Sequence, residues 1–84
     1  MKHAREDYNE RIQDTAGLIP KDEPVFLLRG QDILAPQLVA TWAHRARVAG
    51  CSLEIVEAAE EQAEAMRAWQ IKKAAKIPDL PQGA

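Results

Sequence analysis

The sequence predicts a mainly α fold: an αα-hairpin preceded by one short β-strand, with the strand paired across a homo-oligomer. Three observations carry this. Apolar residues recur at helical spacing over two segments separated by only a few residues around Gly50-Cys51, a connection short enough to make the helices antiparallel neighbours. One run, Pro24 to Gly30 (PVFLLRG), has strand character. No other segment offers that strand a partner, and an isolated strand leaves a ladder of unpaired backbone groups.

Residues 1–15 are rich in Asp, Glu, Arg, Lys and Asn without sustained periodicity, and read as a polar N-terminal tail with partial order. A single helical domain is expected over residues 16–77. It opens on the bend Gly17-Leu18-Ile19-Pro20. The strand is placed at 24–29, where Pro24 suits a first strand position. Val25, Phe26, Leu27 and Leu28 are consecutive apolar residues, as in a strand buried on both faces. The simplest partner is the same segment of a second protomer about a two-fold axis, which makes these four residues interface candidates.

Helix one is expected over 36–49. Pro36 suits the first helical position. Leu34, Leu38, Trp42 and Ala46 recur every four residues, and Val39, Ala43 and Ala49 widen the stripe. Arg45 and Arg47 complement the C-terminal end of the helix dipole, and Gly50 is a natural stop. Helix two is expected over 53–76. Ser52 is its N-cap, and Glu54 and Glu57 set negative charge in the first turns. Its stripe has two tracks, Ile55, Ala59, Gln62, Met66, Trp69 and Lys73 beside Val56, Ala59, Ala63, Met66 and Gln70, and is alanine-rich, so a facing helix can approach closely. Helix two outruns helix one by about ten residues at 1.5 Å of rise each. The overhang has nothing in its own hairpin to lie against, so Met66 and Trp69 are further interface candidates. Residues 78–84 form a tail containing Pro and Gly.

Composition supports the oligomer. A chain of 84 residues makes one domain and buries only about 60% of its unfolded surface. Much of the 46% hydrophobic fraction is alanine, and the aromatic residues are Tyr8, Phe26, Trp42 and Trp69 alone. The burial term is thus small against an ordering cost of about 1.5 kcal/mol per residue. Cys51 is the only cysteine, which excludes an internal disulfide and a cysteine-based zinc site. Association of copies, a dimer first, is the remaining support. The net charge of −2 lacks the basic excess of nucleic-acid binders, so direct nucleic-acid binding is not expected. No apolar run approaches the ~18 residues of a membrane span, and Met1 to Glu10 lacks a signal-peptide core. A reducing bacterial cytoplasm is the expected setting, and no cofactor is implied.

Four features carry candidate chemistry. Arg29, Gly30, Gln31 and Asp32 lie between strand and helix, where exposed N–H groups, a dipole and a cation can hold an anion such as a nucleotide phosphate. The glycine spacing of a P-loop is absent, and the same residues also read as a turn with Asp32 capping helix one. Trp42 and Trp69 can stack on a base or anchor a protein contact, or they pack in a core or dimer seam. His44, Arg45 and Arg47 are the only basic cluster, and Glu57, Glu60, Glu61 and Glu64 form an acidic face; each also reads as solvated helix surface. A catalytic nucleophile needs a base within reach and a group to orient it, and no set of that kind assembles around Cys51, so no enzyme is expected.

The stretch Ile19-Pro20-Lys21-Asp22-Glu23-Pro24-Val25-Phe26-Leu27-Leu28-Arg29-Gly30-Gln31-Asp32, followed by Trp42 and by Met66 with Trp69, resembles a group of small uncharacterised phage and prophage proteins. The resemblance covers roughly residues 11–70. It implies a mobile-element origin. For a protein of this size it suggests an accessory role by binding, such as disabling a host defence protein or sequestering a nucleotide signal.

Overall fold

The computed structural model describes residues 1–80. Its elements run β1 (Lys2–His3), α1 (Tyr8–Arg11), β2 (Pro24–Val25), α2 (Ala35–Val48) and α3 (Leu53–Lys72). The fold is mainly helical, an α2–α3 hairpin preceded by a short strand pair. The described residues fall into two compact units, one over Met1–Leu27 and one over Leu28–Asp79.

In the first unit the strand finds a partner inside the chain, where the sequence offered none. β1 and β2 are parallel, with Lys2 opposite Pro24 and His3 opposite Val25. Lys2 N–H donates to the Glu23 carbonyl at 2.8 Å. The strand is also shorter than 24–29. A ladder of two residues with one neighbour cannot cover both faces of PVFLL: Val25 is half-buried, while Phe26 and Leu27 are exposed.

The polar stretch before it is ordered by side-chain bonds. His3 N–H donates to Asn9 Oδ1 at 3.0 Å, and its ring Nε2 donates to the Ile12 carbonyl at 2.9 Å. The buried Tyr8 ring lies beneath the Arg5 guanidinium, 4.2 Å from the centroid, with Arg11 at 5.3 Å. Asp7 bridges the two arginines at 2.7 and 2.9 Å. Asp14 Oδ2 accepts from Ile19 N–H at 2.7 Å and ties the following bend, where Gly17 takes φ +68°.

The second unit is the hairpin. Its seam is mostly alanine: Ala35, Pro36, Ala43 and Ala46 are buried on α2, and Val56, Ala63 and Met66 on α3. Helices with alanine at their contact approach closely, so the seam closes over little side-chain volume. α2 ends in a Schellman motif. Cys51 N–H bonds the Ala46 carbonyl at 3.0 Å, and Gly50 N–H bonds Arg47 at 3.2 Å. Gly50 takes φ +85°, a conformation that disfavours other residues. Ser52 then caps α3, its hydroxyl accepting from Ile55 N–H at 3.4 Å.

α2 begins and ends one residue earlier than expected, and α3 stops four residues before Lys76. The chain turns at Lys73 and comes back as an extended strap: Lys76 N–H donates to the Gln31 carbonyl at 2.8 Å, and Ile33 N–H donates to the Lys76 carbonyl at 3.1 Å. The strap removes most of the expected overhang. The remaining end of α3 lies on the chain's own 30–32 loop, so Met66, expected at an interface, is 8% exposed within its own unit. Of the expected tail 78–84, residues 81–84 lie outside the described residues.

Candidate functional site

Arg29, Gly30, Gln31 and Asp32 form the turn that delivers the chain into α2. Asp32 N–H bonds the Arg29 carbonyl at 3.0 Å, and Asp32 Oδ1 accepts from Leu34 N–H at 2.8 Å. An anion site at this helix start would need free N–H groups. Three of them are bonded within the chain: Ile33 donates to the Lys76 carbonyl, Leu34 to the Asp32 carboxylate, and Ala35 to the Asp32 carbonyl at 3.0 Å, while Pro36 has no N–H. A carboxylate already occupies the dipole end. The Asp32 carboxylate thus holds Leu34, the residue before α2, which itself supplies no side-chain cap, and Arg29 is exposed beside the turn.

Sequence reasoning missed the residue that fixes this turn. Gln70 Nε2 donates to the Gly30 carbonyl and to the Asp32 carbonyl, both at 2.8 Å. Two carbonyl acceptors demand the amide nitrogen, so both of its hydrogens are used. Four-residue spacing from Met66 to Gln70 was the only available signal, and spacing does not reveal which polar residue of a stripe will meet a loop.

The clamp leaves a groove of about 310 Å³ between this turn and α3. Leu28, Arg29, Gly30 and Gln31 form one wall; Gln62, Ala65, Met66 and Trp69 form the other. A methyl group added at Gly30 would sit 3.9 Å from Met66 Cγ, in ordinary contact, so the walls stand about one methyl group apart here. Trp69 is 43% exposed along the groove. The expected site residues of the turn and the aromatic of α3 thus come together, and the groove combines apolar walls with one exposed cation.

Trp42 lies elsewhere on the hairpin. With alanine filling the seam, Leu34, Leu38 and Trp42 form an exposed row along α2, Trp42 at 52%. The stripe expected to be the core is therefore split, with Ala46 at the seam and the three large residues outside it. Ile55 on α3 is likewise half-exposed.

The charged clusters behave as surface. Arg47 pairs with Glu60 at 2.6 Å and Arg67 with Glu64 at 2.7 Å, all at exposed positions. His44 and Cys51 are exposed. Among the described residues no group of His, Cys, Asp and Glu side chains is placed to hold a metal ion, and no helix is long and apolar enough to cross a membrane. In the first unit the Arg5 hydrogen bond, joined by that of Arg11, holds the Asp7 carboxyl below its ordinary value of 3.8 despite some desolvation. That unit also leaves His3 Nδ1 buried without a hydrogen-bond partner among the described residues. Comparison with protein-family models, curated proteins and solved structures finds no match to this chain.

Proposed function

We propose that this chain is a non-enzymatic protein of phage or prophage origin that acts in the bacterial cytoplasm by binding other polypeptides as a homo-oligomer, with a host defence factor as its target. One observation supports the reading above the rest. The hairpin buries alanine and turns Leu34, Leu38 and Trp42 outward, with Trp69 beside an exposed Arg29. Trp and Arg next to apolar walls are the residues that most often anchor protein interfaces. Scattered apolar residues need no explanation, but a row along one helix does. The phage origin rests on the Ile19–Asp32 resemblance.

Nucleotide binding at Arg29–Asp32 is the alternative, and it has fewer N–H groups to draw on because those of Asp32, Ile33, Leu34 and Ala35 are bonded within the chain. The two readings part in one comparison. Tagged protein in a bacterial lysate is expected to retain a specific polypeptide, and a Trp42→Ala variant to lose it. Thermal shift with millimolar nucleotides is expected to leave melting unchanged. A pulldown that matches the empty-tag control, together with unaltered phage plating on defended hosts, sinks the binding reading.

A further inference from the structure

We infer that the segment Met1-Lys2-His3, presented with a free Met1 amine, is a binding site for copper(II), and that loading it takes β1 out of its ladder with β2. The site is independent of the interface proposed above and lies wholly within the first unit.

The first support is the spacing of nitrogen donors. A histidine at the third position sets four nitrogens in one short stretch: the Met1 amine, the Lys2 and His3 amides, and Nδ1 of the His3 ring. Neighbouring donors in that series close chelate rings of five or six atoms around one ion, whereas Nε2 would close a larger one. Nitrogens linked this tightly fall in one plane. Such tetragonal nitrogen ligation selects copper(II), with nickel(II) next, over zinc.

The second support is the state of the His3 ring. Nε2 donates to the Ile12 carbonyl at 2.9 Å, and a carbonyl can only accept, so the neutral ring carries its proton there and leaves the Nδ1 lone pair bare. His3 is only 9% exposed, and Nδ1 is buried with no hydrogen-bond partner among the described residues. A buried acceptor left unmatched costs free energy that a metal bond at Nδ1 recovers. Ligating histidines regularly give their other ring N–H to a backbone carbonyl, and His3 and Ile12 already have that arrangement.

Loading has a defined balance and a defined structural cost. Copper(II) replaces one proton on each of the Met1 ammonium, the Lys2 amide and the His3 amide; those protons pass to water, and the metal keeps its oxidation state. In the folded unit Lys2 N–H donates to the Glu23 carbonyl at 2.8 Å and His3 N–H to Asn9 Oδ1 at 3.0 Å, so both bonds end on loading. Pro24, opposite Lys2, has no N–H with which to make up the loss. With two residues in each strand, the ladder does not survive it. Strand pairing and copper binding are thus alternatives for the same backbone nitrogens.

Copper(II) chloride titrated into the whole chain, in a Cys51→Ser background so that no thiol reduces the metal, tests this. A single equivalent is expected to bind with the violet absorption and four-nitrogen paramagnetic resonance pattern of square-planar copper, and zinc(II) is expected not to displace it. His3→Ala is expected to lower the affinity by more than the roughly 10–100-fold that a lost second-shell contact costs. A Gly-Ser extension ahead of Met1 moves the amine but leaves every residue of the fold in place, and is expected to abolish the signal. His44→Gln, at an exposed site in the second unit, is expected to change nothing. With nickel(II), the diamagnetic counterpart, the Lys2 and His3 amide signals are expected to vanish from the NMR spectrum, and amide exchange in β2 is expected to quicken. Absence of a stoichiometric copper signal overturns the inference, as does a signal that survives the Gly-Ser extension or His3→Ala. Copper bound with exchange in β2 unchanged overturns the coupling to the ladder.

Discussion

Gln70 should be worth more to this chain than any exposed ion pair. Its amide nitrogen donates to the carbonyls of Gly30 and Asp32 at 2.8 Å each, tying the end of α3 to the turn that starts α2. Each such bond contributes about 0.5–1.5 kcal/mol net, so Gln70→Ala should cost about 1–3 kcal/mol. A domain of this size has a total stability on the order of 4–12 kcal/mol, so the loss is a large fraction of it. Gln70→Glu should cost more at neutral pH, because it aims a carboxylate at two carbonyl oxygens. It should regain part of the loss in acid, where a protonated carboxyl can again donate once. Urea unfolding followed by circular dichroism gives the free energies, and amide exchange at Ile33 and Lys76 reports the strap locally. A midpoint within error of wild type for Gln70→Ala, or a Gln70→Glu variant as stable as wild type at pH 7, would refute the clamp.

Two further outcomes follow from the packing and the charges. Ala63→Leu pushes a large side chain into a seam where Ala63 is 1% exposed, and overpacking should destabilise the hairpin by about 1–3 kcal/mol in the same unfolding assay. Asp7 gives a pH dependence of defined sign. Its folded carboxyl titrates below 3.8, so the bridge to Arg5 and Arg11 stabilises the first unit above that value and is lost as pH falls through the lowered one. Carboxyl chemical shifts in an NMR titration should place the Asp7 midpoint below 3.8, and a midpoint at or above that value would exclude the bridge.

The hairpin was legible because its signals are local. Ser52 before the acidic start of α3, Gly50 after α2 and the four-residue recurrences each mark a feature whose physics is complete within a few residues. The strand pair was not. Lys2-His3 carries no apolar alternation, and a two-residue parallel ladder over more than twenty residues of sequence is held by His3, Asn9 and Ile12 contacts that have no periodic trace. The end of α3 failed for a related reason. Residues 73–76 keep a helix-compatible composition, but the carbonyl of Gln31 and the N–H of Ile33 offer Lys76 a better partner than another helical turn. The candidate turn was found in the right place, but its bonds could not be read from the sequence, because Gln70 lies forty residues from Gly30.

Alanine at the seam links fold to function. A helix has room for about one apolar stripe to face its neighbour, and here alanine is the commonest residue in that stripe, with Pro36, Val56 and Met66 the larger members. Close approach then takes the place of volume, and the two helices hold together without their tryptophans. Had Leu38 and Trp42 filled the seam, the hairpin would have a larger core and a polar exterior, with nothing left to dock. Placing them one step around α2 lowers the stability of the single chain and leaves a row of large residues whose burial awaits a partner, each worth about 1.5–3 kcal/mol when fully covered. For a chain so short, stability and binding draw on the same few side chains, so association should also raise the unfolding midpoint, and the midpoint should climb with protein concentration.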